Sequence, residues 1–198
     1  MPDSPSLPLR VVLAAALLAL LAACAERRGG STAQAPVAPV AGNLMANASF
    51  EEDHPRFSPW TLNVHADPDA FSFEPDPQVF RSGGHSLRVR MVSEEPFASA
   101  VQYFDVGILP ARRLTVRAWV RGEALERPVY MHTAFFAFGG QSGLVDTREQ
   151  GLTGTFDWTR LEMTFEIPAH TDRIETGVTT TGAGTLWIDD VELVPAAP

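Results

Sequence analysis

Five stretches of this chain alternate apolar and polar residues with a period of two, and that pattern limits the folds open to it. In "HSLRVRMV" (85–92), Leu87, Val89 and Met91 oppose Arg88 and Arg90. In "RLTVRAWVR" (113–121), Leu114, Val116, Ala118 and Val120 oppose Thr115, Arg117, Trp119 and Arg121. "TRLEMTFEIP" (159–168) sets Leu161, Met163, Phe165 and Ile167 against Arg160, Glu162, Thr164 and Glu166. "PVYMHTAFFAF" (128–138) sets Val129, Met131, Phe135 and Ala137 against Tyr130, His132, Phe136 and Phe138. Side chains on a strand point alternately to its two faces, so each stretch reads as a strand with one wet side. Turn residues separate them, at Ser82-Gly83-Gly84, Pro110, Gly122, Gly139-Gly140 and Gly182-Ala183-Gly184. No segment after residue 42 carries a helical period of any length, and there is no internal repeat. Short strands with recurrent turns imply an all-β fold, an antiparallel β-sandwich or barrel.

The fifth stretch, "LWIDDVELV" (186–194), carries two adjacent carboxylates in the middle of an apolar run. Strict alternation puts Trp187, Asp189, Val191 and Leu193 on one face and Leu186, Ile188, Asp190 and Glu192 on the other. Whichever face is buried, one Asp lies against apolar surface, and a buried carboxylate needs a cation, N–H donors or an Arg. A β-bulge at this point would exchange the two faces.

The 198 residues divide into three parts. Residues 11–23, "VVLAAALLALLAA", form an apolar run behind Arg10 that has the length of a signal-peptide core and is short for a bilayer span. The run ends in Leu21-Ala22-Ala23-Cys24, which resembles a bacterial lipobox. That resemblance implies cleavage of residues 1–23, acylation of Cys24 and a lipid anchor in the bacterial cell envelope. Because Ala25 follows the cysteine, the outer membrane is the expected destination. The alternative is an ordinary signal peptide with an incidental cysteine. Residues 24–42 are rich in Pro, Gly and Ala without periodicity and read as the lipidated Cys and a flexible tether. Residues 43–198 form the β domain.

Composition narrows the function. The formal net charge is −9 and the cations are scattered arginines, which argues against nucleic acid. One cysteine excludes a disulfide framework and thiolate metal clusters. Gly84-His85-Ser86-Leu87-Arg88 fails the nucleophile elbow at its last position. The five histidines (54, 65, 85, 132, 170) show no metal-ligand spacing, and no phosphate-binding loop is present. The paired acids are neighbours in sequence, not carboxyls facing each other across a cleft as a glycosidase needs. A non-enzymatic protein is expected.

The ordered set "NLMANASFEE" (43–52), "GGHSLRVR", "LTVRAWVRGE", "DWTRLEMTFEIP" and "LWIDDVELV" resembles the galactose-binding-like jelly rolls. The likeness is greatest to carbohydrate-binding modules of families four, nine and twenty-two, and it covers nearly all of 43–195. It implies a jelly-roll β-sandwich whose first and last segments lie together and share a structural Ca²⁺. Glu51 and Asp189 are then the side-chain ligands, with Asp190 as substitute for Asp189 and backbone carbonyls near Gly84 completing the shell. The alternative is that these carboxylates bond turn N–H groups or an Arg. The resemblance also implies a glycan site; Gln102 matches a Gln that such modules aim into a cleft. Together with the polar-tipped and aromatic residues of the two long alternating stretches, the expected site is Gln102, Arg117, Trp119, Tyr130 and His132. Phe136 and Phe138 are expected in the core, and Trp60, Trp158 and Trp187 as structural. The function expected is a lipid-anchored, non-catalytic protein that binds an envelope carbohydrate. The rival is a structural or protein-interaction lipoprotein on the same scaffold.

Overall fold

The computed structural model describes residues 41–52 and 57–197; the signal segment, Cys24 and most of the tether lie outside them. Nine strands follow in order: β1 (Thr61–Val64), β2 (Phe71–Asp76), β3 (Ser86–Met91), β4 (Ala98–Asp105), β5 (Arg113–Ala137), β6 (Gly140–Asp146), β7 (Leu152–Glu166), β8 (Arg173–Thr180) and β9 (Thr185–Pro195). Three short 3-10 turns, Pro68–Ala70, Val106–Ile108 and Arg148–Gln150, lie among the connections. All pairings are antiparallel.

The strands make two sheets that share β5. Its N-terminal half pairs with β7 and β9, and β9 continues to β3 and β2; this is sheet II. Its C-terminal half, from Tyr130, pairs with β8 and β6, and β8 continues to β4 and β1; this is sheet I. The crossing occupies residues 120–129, where the register with β7 shifts three times and Ala124 takes φ +52°.

The core lies between the sheets, and alternation selects it. Leu114, Val116, Ala118 and Val120 from sheet II are fully buried against Met131, Ile174 and Val178 from sheet I. The Phe135 and Phe165 rings meet across the layer at 6.1 Å. Each such side chain contributes roughly 1.5–3 kcal/mol by leaving water. The faces read from 85–92, 113–121 and 159–168 are those observed, with Leu87, Val89, Leu161, Met163, Phe165 and Ile167 all buried. Trp60 and Trp187 are also buried. Phe136 and Phe138 depart from expectation: Phe136 stands on the outer face of sheet I beside Tyr103, and Phe138 is fully exposed in the turn before β6.

The first and last segments do lie together. Leu44 N–H donates to the Leu193 carbonyl at 2.8 Å, Val191 N–H to the Ala48 carbonyl at 2.8 Å, and Leu193 N–H to Asn43 Oδ1 at 2.9 Å.

A bulge resolves the adjacent carboxylates. Arg117 pairs with Glu192 but Trp119 with Asp189, so β9 carries one extra residue there, and Asp190 has φ +46°. Leu186, Ile188, Val191 and Leu193 thus all enter the core, which strict alternation cannot achieve. Asp189, wholly buried, accepts the N–H groups of Arg81 (2.8 Å) and Ser82 (3.1 Å) on Oδ2 and that of Asp190 (2.7 Å) on Oδ1. Asp190 accepts the Ser82 hydroxyl at 2.7 Å and pairs with the Arg81 guanidinium. Together they pin the 81–85 loop to sheet II.

Burial, and then the charge of Asp190, push the Asp189 carboxyl up to about 7, against the three N–H groups that favour its anion. Unfolded, it returns to about 3.8. Between those values the folded chain binds more protons than the unfolded one, so this group's contribution to stability falls as pH rises and levels off above pH 7. Asp189→Asn should remove that fall, which denaturant midpoints collected from pH 4 to 8 will show. Gly177 tests the sheet itself: a Cβ there would lie 2.0 Å from the Ala100 carbonyl oxygen. Gly177→Ala is expected to cost about 3 kcal/mol by overpacking, read from the same midpoints.

Candidate glycan-binding groove

The outward positions of sheet I carry a hydrogen-bonded chain of side chains across four strands. In register, Ser99 on β4 faces Thr179 on β8, Tyr103 faces Glu175, and Tyr130 and Ala134 on β5 flank the same β8 residues from the other side. Thr179 Oγ1 lies 2.9 Å from Ser99 Oγ and 2.7 Å from His132 Nδ1. His132 Nε2 lies 3.1 Å from Glu175 Oε1. The Tyr103 hydroxyl also bonds Glu175, and Asn63 on β1 donates to Tyr103 Oη at 3.4 Å.

The carboxylate orders this chain. Ionised, Glu175 can only accept, so in the neutral imidazole the proton sits on Nε2 and Nδ1 accepts from Thr179. Burial opposes Glu175's charge, but the hydrogen bonds from His132 and Tyr103 and the positive charge of Arg173 outweigh it and hold the carboxyl below its usual range. Both nitrogens of His132 are therefore used within the protein.

Above this floor is a groove of about 200 Å³. Phe97 and Leu144 form its apolar walls, and Asn63, Gln141, Asp146 and Arg148 supply polar groups at the rim. Arg148 donates to Tyr130 Oη at 2.8 Å, lies 4.8 Å from the Tyr130 ring centroid and reaches Asp146 at 3.6 Å. Aromatic and apolar surface with a few fixed polar groups is the usual make-up of a small-molecule or glycan site.

The structure brings together two of the five expected site residues, Tyr130 and His132. Gln102 is not in the groove: it faces inward on β4, and its amide bonds both the N–H (3.2 Å) and the carbonyl (2.6 Å) of Ala46, completing the N-terminal segment. Arg117 and Trp119 sit on the outer face of sheet II, on the opposite side of the sandwich, because β5 changes sheets after them. Arg117 lies between Glu162 (2.8 Å) and Glu192 (3.3 Å). Trp119 is stacked under the Arg81 guanidinium, 3.9 Å from the ring centroid, so the 81–85 loop covers it. Residues that sequence reasoning missed include Asn63, Phe97, Arg148 and Glu175. Alternation along "RIETGVTT" could have turned Glu175 outward with Thr179, whereas Phe97, in the loop before β4, has no period to betray it.

The carboxylates expected to hold calcium are engaged otherwise. Glu51 Oε1 accepts the N–H groups of Gly84 and His85, each at 2.9 Å, Asp189 accepts three more N–H groups, and Asp190 takes Arg81. A cation wants oxygen lone pairs directed at it, and here N–H hydrogens converge instead. The donor set therefore does not fit the ion.

No family profile matches this chain, and no curated protein matches it. Solved structures do. The enzymatically active domain of tailspike protein 4 from bacteriophage CBA120 superposes with TM-score 0.60 at 17% identity, over 80% of this chain and 22% of that one. The C-terminal family 22 carbohydrate-binding module of Clostridium thermocellum Xyn10B superposes with TM-score 0.54 at 16% identity, over 82% and 97% of the two chains. The module TmCBM61, solved with β-1,4-galactotriose, gives TM-score 0.51 at 23% identity, over 78% and 99%. At these identities the likeness is one of architecture, and the described domain has the jelly-roll β-sandwich fold of carbohydrate-binding modules.

Proposed function

We propose that this protein is a non-catalytic glycan-binding lipoprotein of the bacterial cell envelope, and that the groove on sheet I is its site. The carrying observation is that groove: a floor of hydrogen-bonded Tyr130 and His132, walled by Phe97 and Leu144 and rimmed by polar groups. Rings and aliphatic carbons suit the apolar side of a sugar, and the amides and guanidinium suit its hydroxyls. Two structural neighbours support the same reading, one a module solved with β-1,4-galactotriose and one a family 22 module with a cleft for ligand binding. Both groove carboxylates are committed within the protein, Glu175 to His132 and Tyr103 and Asp146 to Arg148, which supports binding without catalysis.

In a glycan-array screen followed by titration, Phe97→Ala should weaken binding at least about tenfold, the loss expected of a central aromatic contact. Trp119→Ala should leave affinity unchanged, and the reverse pattern would move the site to sheet II. Anchoring rests on Cys24, which is outside the described residues: Cys24→Ser should release the protein from membranes under an alkaline wash. Because the carboxylates near the 81–85 loop already hold N–H donors, the melting temperature should be the same in EDTA and in Ca²⁺. A rise with Ca²⁺ would restore Glu51 and Asp189 as ligands.

A further inference from the structure

Beyond the groove, toward the turn that joins β5 to β6, the outer face of sheet I changes character. Arg173 opens β8; its register partners are Phe136 on β5 and Asp105 on β4, with which it makes no ion pair, and its side chain leans toward Tyr103, two positions back along β4. Its guanidinium carbon lies 5.0 Å from the Tyr103 ring centroid and 5.1 Å from that of Phe136, and the two rings are 6.4 Å apart. Two aromatic faces therefore hold the cation in place, as cation–π contacts do.

What the rings leave unused are the N–H groups. Arg148, the other arginine of this face, spends its donors on Tyr130 and its charge on Asp146. Arg173 makes no hydrogen bond and no ion pair at contact distance among the described residues. Glu175 is two positions along the same strand, and Arg173 helps to keep it ionised, but its oxygens are taken by His132 and Tyr103. The face thus has an anion at the groove floor and, at one end, a guanidinium held by two rings and in ion-pair contact with neither Glu175 nor its cross-strand neighbour Asp105.

We propose that Arg173 is a recognition subsite for the carboxylate of a uronate residue in the glycan that occupies the groove. The inference rests on the groove being a glycan site. A guanidinium presents a planar fork of donors that matches a carboxylate through two parallel hydrogen bonds. Its prior restraint by Tyr103 and Phe136 reduces the freedom it loses on binding. The charge of Glu175 repels an acidic group from the groove centre, so neutral sugars lie over His132 and the acidic one at the Arg173 end. Tyr130 and Phe136 are six residues apart on β5, roughly 20 Å along an extended strand, so one ligand covering both ends must be an oligosaccharide.

The test uses the full chain in detergent against an array in which xylohexaose, cellohexaose and galactotriose are each paired with a uronate-bearing counterpart. The wild type should prefer an acidic member of a pair. Arg173→Gln should lower that affinity at least about tenfold, the loss of a charge-assisted hydrogen-bond pair, and leave the neutral partner's binding unchanged. Arg173 is exposed, so the variant should melt with the wild type. Equal binding of neutral and acidic partners, or an equal loss of both in Arg173→Gln, would overturn the proposal while leaving the groove as a neutral-glycan site. Absence of binding to every member would overturn the groove reading and this proposal with it.

Discussion

A strand of 25 residues is far longer than the five or six usual in a sheet, and β5 stays hydrogen-bonded along its length only by changing partners. Its first half is bonded on both sides by β7 and β9, its second half by β8 and β6. The irregular stretch from Val120 to Val129, with a left-handed residue at Ala124, lets the chain leave one layer and join the other. The two halves consequently turn their polar faces to opposite sides of the sandwich. Arg117 and Trp119 look out from sheet II, and Tyr130 and His132 from sheet I. Which face can bind a ligand follows from that crossing.

The two outer faces are then treated differently. On sheet II the 81–85 loop lies across the strands, held by Asp189, Asp190 and Glu51, with Arg81 stacked on Trp119. The bulge in β9 is the local cause. It puts one extra residue between Ile188 and Val191, keeps every apolar residue of the strand in the core, and leaves both aspartates beside the loop. A carboxylate with no exposed surface is tolerable there because three backbone N–H groups point at it. Among the described residues sheet I has no such cover, and its polar chain from Asn63 to Ser99 remains the floor of an open groove.

Much of the fold was legible because burial and alternation report on the same thing. Leu87, Val89, Met131 and Phe165 were assignable to the core from period two alone, and the strands over 85–92, 113–121 and 159–168 were found with the expected face inward. The site was less legible for a related reason. Alternation tells which side of its own strand a residue occupies but not which sheet the strand belongs to, so Trp119 and Tyr130 looked equivalent. Gln102 misled for another reason: it faces the interior, where a planar amide can complete a backbone pairing with Ala46 as readily as it can meet a sugar. Phe138 departed from the core because the strand ends before it and the turn at Gly139-Gly140 carries it into solvent.

The measurement that bears most directly on this account is hydrogen–deuterium exchange of the full chain with and without a glycan identified on an array. Binding in the sheet I groove predicts added protection in β4, β8 and the segment 130–148, with the 81–85 loop and the Trp119 region unchanged. Protection centred on 81–85 and 113–121, with sheet I unaffected, would contradict it.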